Sequence, residues 1–322
     1  MTMPGEPFSG RIPALTTEEA GIRTRLERHV RVLAGDIGER HVCPPLRPEY
    51  AKNLEAAGTY VRSEMSALGY VTNDQVFVTN GVEVKNIEAG IAGGALAKET
   101  VVVGAHYDSA DGTPGADDNA SGVAALIGIA GLLRAKTPAR TVRFVFFVNE
   151  EPPFYHEDAM GSLVYARRCR SRDETITAMI SLETIGHYSD VKGSQKYPWP
   201  LSAFYPDTGD FIGFVGDSSS RELVLAAAGS FRRHTRFPSQ GISAPGVIPG
   251  IGWSDHWSFW QVDYPGVMVT DTAPFRNVNY HTAKDTPGTL DYARLARVTA
   301  GIARVVEELA AIGSNGPVKE AI

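Results

Sequence analysis

Cysteine is nearly absent from this chain: among 322 residues only Cys43 and Cys169 occur, far apart and without C-x-x-C spacing. That spacing suggests neither a disulfide framework nor a thiolate metal site, and both residues are expected to be ordinary reduced thiols. Basic charge is scarce as well, with 31 Lys and Arg against 37 Asp and Glu and a net charge of -6. No run of Lys and Arg interleaved with aromatics is found, so nothing provides a field for a phosphate backbone, and nucleic acid is not an expected partner. Long apolar stretches are missing too, since nowhere do about 18 apolar residues run together. Met1 to Pro7 lack the basic start and apolar stretch of a secretory signal. The chain is therefore expected to be soluble and cytoplasmic, with no membrane partner.

What is present is a core-forming composition, 43% hydrophobic and 21% charged, with no low-complexity tract to divide it. Residues 1–322 are expected to form a single α/β catalytic domain. Two helices open the chain, one over Glu18 to Leu33 behind a capping box of Thr16 and Glu19, and one over Tyr50 to Leu68 ended by Gly69. Strand-like runs follow at Gln75 to Thr79, Glu83 to Ala89, Thr100 to Ala105, Thr141 to Asn149, Ala178 to Leu182 and Gly266 to Thr270. Helical periodicity covers Ser121 to Arg134, Glu222 to Arg233 and Tyr292 to Leu309. This order predicts one doubly wound, mixed but mainly parallel sheet with helices on both faces. Val101 to Val103 and Val142 to Val148 are apolar on both faces, as central strands are. Residues 187–252, rich in Gly, Pro, Ser and aromatics around one helix, read as an irregular insertion that builds a cleft wall.

Polar residues follow each central strand at once, and in open α/β sheets ligands bind beyond the carboxyl ends of the strands. His106 and Asp108 follow one run, Glu150 and Glu151 another, Glu183 a third and Asp271 a fourth. Taken alone, Asp118 before a helix reads as a cap, and His281 in a late loop reads as a surface residue. Together, His106, Asp118, Glu151, Glu183 and His281 form an oxygen and nitrogen donor set suited to two zinc ions. Paired glutamates at the end of a buried run need a compensating cation, which one of them can ligate while its neighbour accepts a proton from water. Charge counting favours two ions: the three carboxylates Asp118, Glu151 and Glu183 with one hydroxide neutralise two zincs, whereas one zinc would leave anionic oxygens unpaired.

The motifs Gly104-Ala105-His106-Tyr107-Asp108-Ser109, Gly115 to Gly122, Asn149-Glu150-Glu151, Met160-Gly161-Ser162, Leu182-Glu183, Ser254-Asp255-His256 and Tyr280-His281-Thr282 with Asp285 occur in this order. Jointly they resemble the co-catalytic dizinc aminopeptidases, zinc exopeptidases related to glutamate carboxypeptidase, glutaminyl cyclase and the transferrin receptor ectodomain. The resemblance covers about Val30 to Leu309. It implies one zinc held by His106, Asp118 and Glu183, a second held by Asp118, Glu151 and His281, and a cis peptide between Asp118 and Asn119. It further implies Glu150 as general base and Tyr280 as donor to the oxyanion. Several members have Asp where this chain has Glu183, which lengthens that arm by one methylene.

Asp108 is expected to orient a metal histidine; Asp285 either does the same near His281 or caps the turn before Pro287. Ser254-Asp255-His256 is expected to support the site rather than react. The activity implied is hydrolysis of the N-terminal peptide bond of peptides with a free N-terminus, with Tyr197, Trp199, Phe204, Tyr205, Phe211 and Phe214 as candidate walls of a first-residue pocket. The rivals are a mononuclear-zinc glutaminyl cyclase, a zinc carboxypeptidase that would need basic residues such as Arg232, Arg233, Arg236 and Arg276, and a binding protein without catalysis.

Overall fold

The computed structural model describes residues 3–199 and 201–311. Helix α1 (Thr17–Val30) begins at Thr16, whose hydroxyl accepts the Glu19 amide while the Glu19 carboxylate accepts the Thr16 amide, so the capping box forms as the spacing predicts. α1 runs on into a π-helical stretch, Arg31–Ile37, that stops at Gly38 with φ 79°. α2 (Pro48–Ala67) starts on a proline, whose missing N–H is no loss at a helix N-terminus. Among the described residues no helix is long and apolar enough to cross a membrane.

Among the described residues eight strands form one sheet in the order β1-β2-β4-β3-β5-β8-β6-β7. They are β1 (Asn73–Thr79), β2 (Val82–Ile91), β3 (Leu96–His106), β4 (Arg140–Phe147), β5 (Thr175–Glu183), β6 (Ile212–Gly216), β7 (Ser239–Ser243) and β8 (Gly266–Thr270). The centre, β4-β3-β5-β8, is parallel. β1 and β2 add an antiparallel edge on one side, and β6 joins β8 antiparallel on the other. The sheet is thus mixed, with a parallel middle whose carboxyl ends share a rim.

Alternation along β3 and β4 shows why both faces must be covered. Val101, Val103, Phe144 and Phe146 point into the larger core with α1, α3 (Gly122–Leu133) and α7 (Tyr292–Ala311), while Val102, Val145 and Phe147 point into a smaller one with α4 (Gly161–Ser171) and α6 (His256–Trp260). All seven side chains are buried. Gly104 has to be glycine here, because a Cβ would stand 2.3 Å from the Phe147 ring.

The segment 187–252 departs from its expected irregularity. It contributes β6, α5 (Arg221–His234) and β7, completing the sheet, and its loops then border the cleft. Five-residue strands interrupted by Gly213, Gly216 and Gly241 have no readable alternation, and non-local pairing decides their conformation.

Candidate metal centre

The donors arrive at one rim because the strands end there. His106 is the last residue of β3 and Glu183 the last of β5, while Glu150 and Glu151 follow β4 after Asn149 reverses the chain at φ 59°. Asp118 comes from the loop before α3, where the Asp118–Asn119 peptide is cis, the geometry the resemblance implies. Gly115, at φ 63°, lets this loop fold back on itself; a Cβ there would lie 2.3 Å from the Asp118 carbonyl oxygen. His281 is supplied by the loop after β8, with its own φ at 55°.

Two trios of donor atoms result, each within 4.8 Å of one another: His106, Asp118 and Glu183, and Asp118, Glu151 and His281. In the first, His106 Nε2 stands 3.1 Å from Asp118 Oδ1 and 3.3 Å from Glu183 Oε2. In the second, His281 Nε2 stands 2.9 Å from Asp118 Oδ2 and 3.3 Å from Glu151 Oε2. A further grouping of His106, Glu150 and Glu151 is looser, since Glu150 Oε2 is 3.9 Å from His106 Nε2. Glu150 therefore borders both trios as the spare carboxylate.

The residues fit the zinc that the motifs imply. Buried polar atoms in a folded protein are normally hydrogen-bonded. Yet both ring nitrogens of His106, Asp118 Oδ1 and Glu151 Oε1 are buried without a hydrogen-bond partner among the described residues. Convergent oxygens and imidazole nitrogens left unsatisfied are a cation's donor set. The electrostatics agree. Burial pushes the carboxyls of Glu151 and Glu183 up to about 7, with the Asp118 charge adding to it. Burial likewise raises Glu150 well above the carboxylate range, opposed by His106 and reinforced by Glu183 and Glu151. For Asp118 burial works in the same direction, but the close imidazoles of His106 and His281 win and hold it below the usual range. A dication would relieve this crowding of acids.

Surrounding groups fix the loops. Asp108 stands 3.5 Å from His106 Nδ1, too long for a hydrogen bond, and instead accepts the amides of Glu150 and Glu151 at 3.3 Å each. Asp285 neither orients His281 nor caps its own turn; its two oxygens accept the amides of Asp117 and Asp118 at 2.9 and 3.1 Å. Asp117 in turn accepts from the Gly186 amide and the Asn277 side chain, both at 2.9 Å. Ser254 donates to Glu183 Oε2 at 2.8 Å and meets Ser181 at 2.8 Å, which holds the longer glutamate arm from behind. Asp271 accepts the His187 amide at 2.7 Å, away from the donor set. The sequence reading missed Arg40 altogether. Its fully buried guanidinium binds the carbonyls of Tyr107 and Pro114 at 2.7 Å and of Gly115 at 3.1 Å, clamping the loop between His106 and Asp118. Nothing in its local sequence distinguishes it from a surface arginine.

Beside the trios opens an apolar pocket. Glu183 and Tyr280 stand on its wall, with Phe211, Phe214, Met268 and Trp253. Of the aromatics expected to line it, Tyr197, Tyr205, Phe211 and Phe214 do so, while Trp199 and Phe204 are exposed. Tyr280 stacks on His281 with ring centroids 3.9 Å apart. Burial first, then the charges of Asp118 and Glu151, push its phenol well above 10, so it keeps its proton as a donor.

A rim of acids and imidazoles beside an apolar pocket, on a doubly wound α/β sheet, defines a zinc-dependent hydrolase. The chain belongs to peptidase family M28, whose model matches residues 86–306. It is 38% identical over 309 residues to the uncharacterized protein YfbL of Escherichia coli, covering 92% of this chain and 91% of that one. It is 27% identical to leucine aminopeptidase 1 of Emericella nidulans over 65% of this chain and 52% of the fungal protein. The solved structure of LapA from Legionella pneumophila shares the fold, with a TM-score of 0.69 at 16% identity over 94% of this chain and 79% of LapA. Glutaminyl cyclase structures resemble the fold at a similar level.

Proposed function

We propose that this chain is a dizinc aminopeptidase that removes the first residue from peptides with a free α-amine. The observation that carries the reading is the pair of donor trios sharing Asp118, with Glu150 adjacent to Glu151 yet outside both. Zinc bound there supplies Lewis-acid polarisation of the scissile carbonyl and a lowered pKa for attacking water.

The protein's own groups do the rest. Glu150, buried and proton-hungry, takes a proton from the attacking water and passes it to the leaving nitrogen. Tyr280 donates its phenolic hydrogen to the oxyanion as the carbonyl becomes tetrahedral. The apolar pocket takes the first side chain, and a protonated α-amine at its mouth finds the Glu183 carboxylate. Asp108, Asp285, Ser254 and Arg40 hold the donor loops in place.

A carboxypeptidase would need a free cationic group for the substrate's terminal carboxylate; three of the four candidate arginines are engaged elsewhere, and Arg236 is exposed outside the pocket lining. Arg232 binds the carbonyl of Gly5 at 2.6 Å, Arg233 pairs with Glu308, and buried Arg276 binds Gln195 at 2.8 Å and the Phe211 carbonyl at 3.0 Å. A glutaminyl cyclase would use one zinc and release ammonia from N-terminal glutamine.

Mass spectrometry of products from one peptide with a free or an acetylated N-terminus, incubated with zinc-reconstituted protein, separates these readings. Stepwise loss of first residues from the free form alone is expected. Shortening of both forms would support a carboxypeptidase, and ammonia loss from N-terminal glutamine a cyclase.

A further inference from the structure

The loop that leads into α6 has two faces, and only one belongs to the apolar pocket. On that face Trp253 stacks on Phe275, centroids 5.9 Å apart and planes 16° apart, and both rings line the pocket. Ser254 then reaches Glu183. Four residues after Trp253, Trp257 stacks on His156 at 3.8 Å and 16°, and His156 stacks on Tyr155 at 3.8 Å and 20°. Three rings thus lie face to face, two of them on the segment that follows Glu150 and Glu151 and the third on α6.

Several observations set this stack apart from core packing. All three residues are half-buried, and none belongs to the hydrophobic clusters of the described core. His156 adopts φ 60°, a left-handed conformation that side-chain-bearing residues disfavour. It is pinned there by its Nε2, 3.0 Å from the Gly252 carbonyl, which also accepts the Tyr155 hydroxyl at 3.3 Å. A strained residue held by convergent bonds to Gly252, which lies between the pocket-lining Ile251 and Trp253, points to a function for its position. The stack's first ring lies close along the chain to the base, because the Phe154 amide bonds back to the Glu151 carbonyl at 3.0 Å just before Tyr155.

Direction follows from the chemistry of the proposed function, on which this inference rests. The pocket beside Glu183 and Tyr280 takes the residue before the scissile bond. Glu150 returns a proton to the nitrogen after it, so the rest of the peptide leaves past Glu150 and the segment it begins. We infer that Tyr155, His156 and Trp257 form the subsite for the side chain of the substrate's second residue, and that this subsite favours an aromatic side chain. Offset stacking or edge-to-face contact with Trp257 or Tyr155 supplies the preference.

The test compares zinc-reconstituted wild type with His156→Ala, Trp257→Ala and Trp257→Phe on Leu-Phe-Gly and Leu-Gly-Gly, reading kcat/KM for leucine release. Wild type is expected to favour Phe over Gly by roughly threefold to tenfold, the worth of one aromatic pair. That ratio should collapse toward one in His156→Ala and Trp257→Ala and return in Trp257→Phe. His156 lies on a surface loop, so its variant reports even where the tryptophan change disturbs folding. An unchanged ratio in both alanine variants, with leucine still released, overturns the subsite alone. No leucine release by wild type from either peptide overturns the aminopeptidase reading and the subsite with it.

Discussion

Asp117 and Asp118 are neighbours in sequence and both are buried, yet the fold treats them in opposite ways. Asp117 has its two oxygens occupied by the Gly186 amide and the Asn277 side chain, and it holds a loop against the rest of the protein. Among the described residues Asp118 has one oxygen with no hydrogen-bond partner and the other on His281. The same contrast recurs at part of the rim, while Glu183 accepts from Ser254, and Asp255, outside both trios, has neither oxygen bonded among the described residues. Asp108 and Asp285 accept backbone amides in pairs, whereas Glu151 leaves an oxygen unsatisfied and shares His281 with Asp118. Asp117, Asp108 and Asp285, which the fold satisfies, hold loops; Asp118 and Glu151, left short of protein partners beside two imidazoles, are placed to hold a cation, since a buried anion without compensation is unfavourable.

The comparison can be broken first at Glu150, which belongs to neither group. Glu150→Gln should keep both zinc ions and lose about 10²- to 10⁴-fold in turnover, the usual worth of a general base. Zinc content by elemental analysis alongside kcat would decide it, and near-wild-type turnover would remove Glu150 from the base role. Tyr280→Phe is expected to cost about 10²-fold in kcat with zinc content unchanged, since only an oxyanion donor is lost. A loss of zinc in that variant would mean that the stacked ring positions His281 instead.

A smaller effect tests the division itself. Asp285→Ala strands the buried amides of Asp117 and Asp118 and should lower the stability of zinc-free protein by about 1–3 kcal/mol. Asp118→Ala should abolish zinc binding at the shared position yet change zinc-free stability by less than about 1 kcal/mol, because it also removes a charge that repels Glu151 and Glu183. Urea unfolding of both variants after chelation would show it. Equal losses would mean that the two kinds of carboxylate are not distinct.

How much of this could be read in advance follows from the range of the interactions. Val101 to Val103 and Val142 to Val148 announce central strands because their apolar pattern is local, and the donors at their ends are legible for the same reason. The partners of Asp285 lie 168 and 167 residues away in sequence, so its spacing before Pro287 left two roles open and suggested neither the one it has. Arg40 is similar, since its acceptors at Tyr107, Pro114 and Gly115 exist only once the loop has folded. β6 and β7 are hidden by glycines and by brevity. Ser254 lay within a motif that promised support, but its bond to Glu183 is visible only when β5 and the loop before α6 meet.

The smallest expected effect is a dependence of the zinc contribution on pH. In the zinc-free fold, burial and the Asp118 charge raise Glu151 and Glu183 to about 7, against an unperturbed 4.5. An acid whose folded pKa is raised favours folding while it is protonated in both states. That contribution is full below the unfolded value and is lost as pH rises through the folded one. Zinc-free protein should therefore lose stability as pH rises from 4.5 to about 7. Zinc acts with the opposite sign, because its ligands must be deprotonated and its binding strengthens as protons leave. The gap in Tm between zinc-loaded and chelated protein should widen steadily across that interval. Thermal melts of both forms at several pH values would measure it; a gap that stays flat would mean that these glutamates already share their charge with groups of the protein and have no need of a metal.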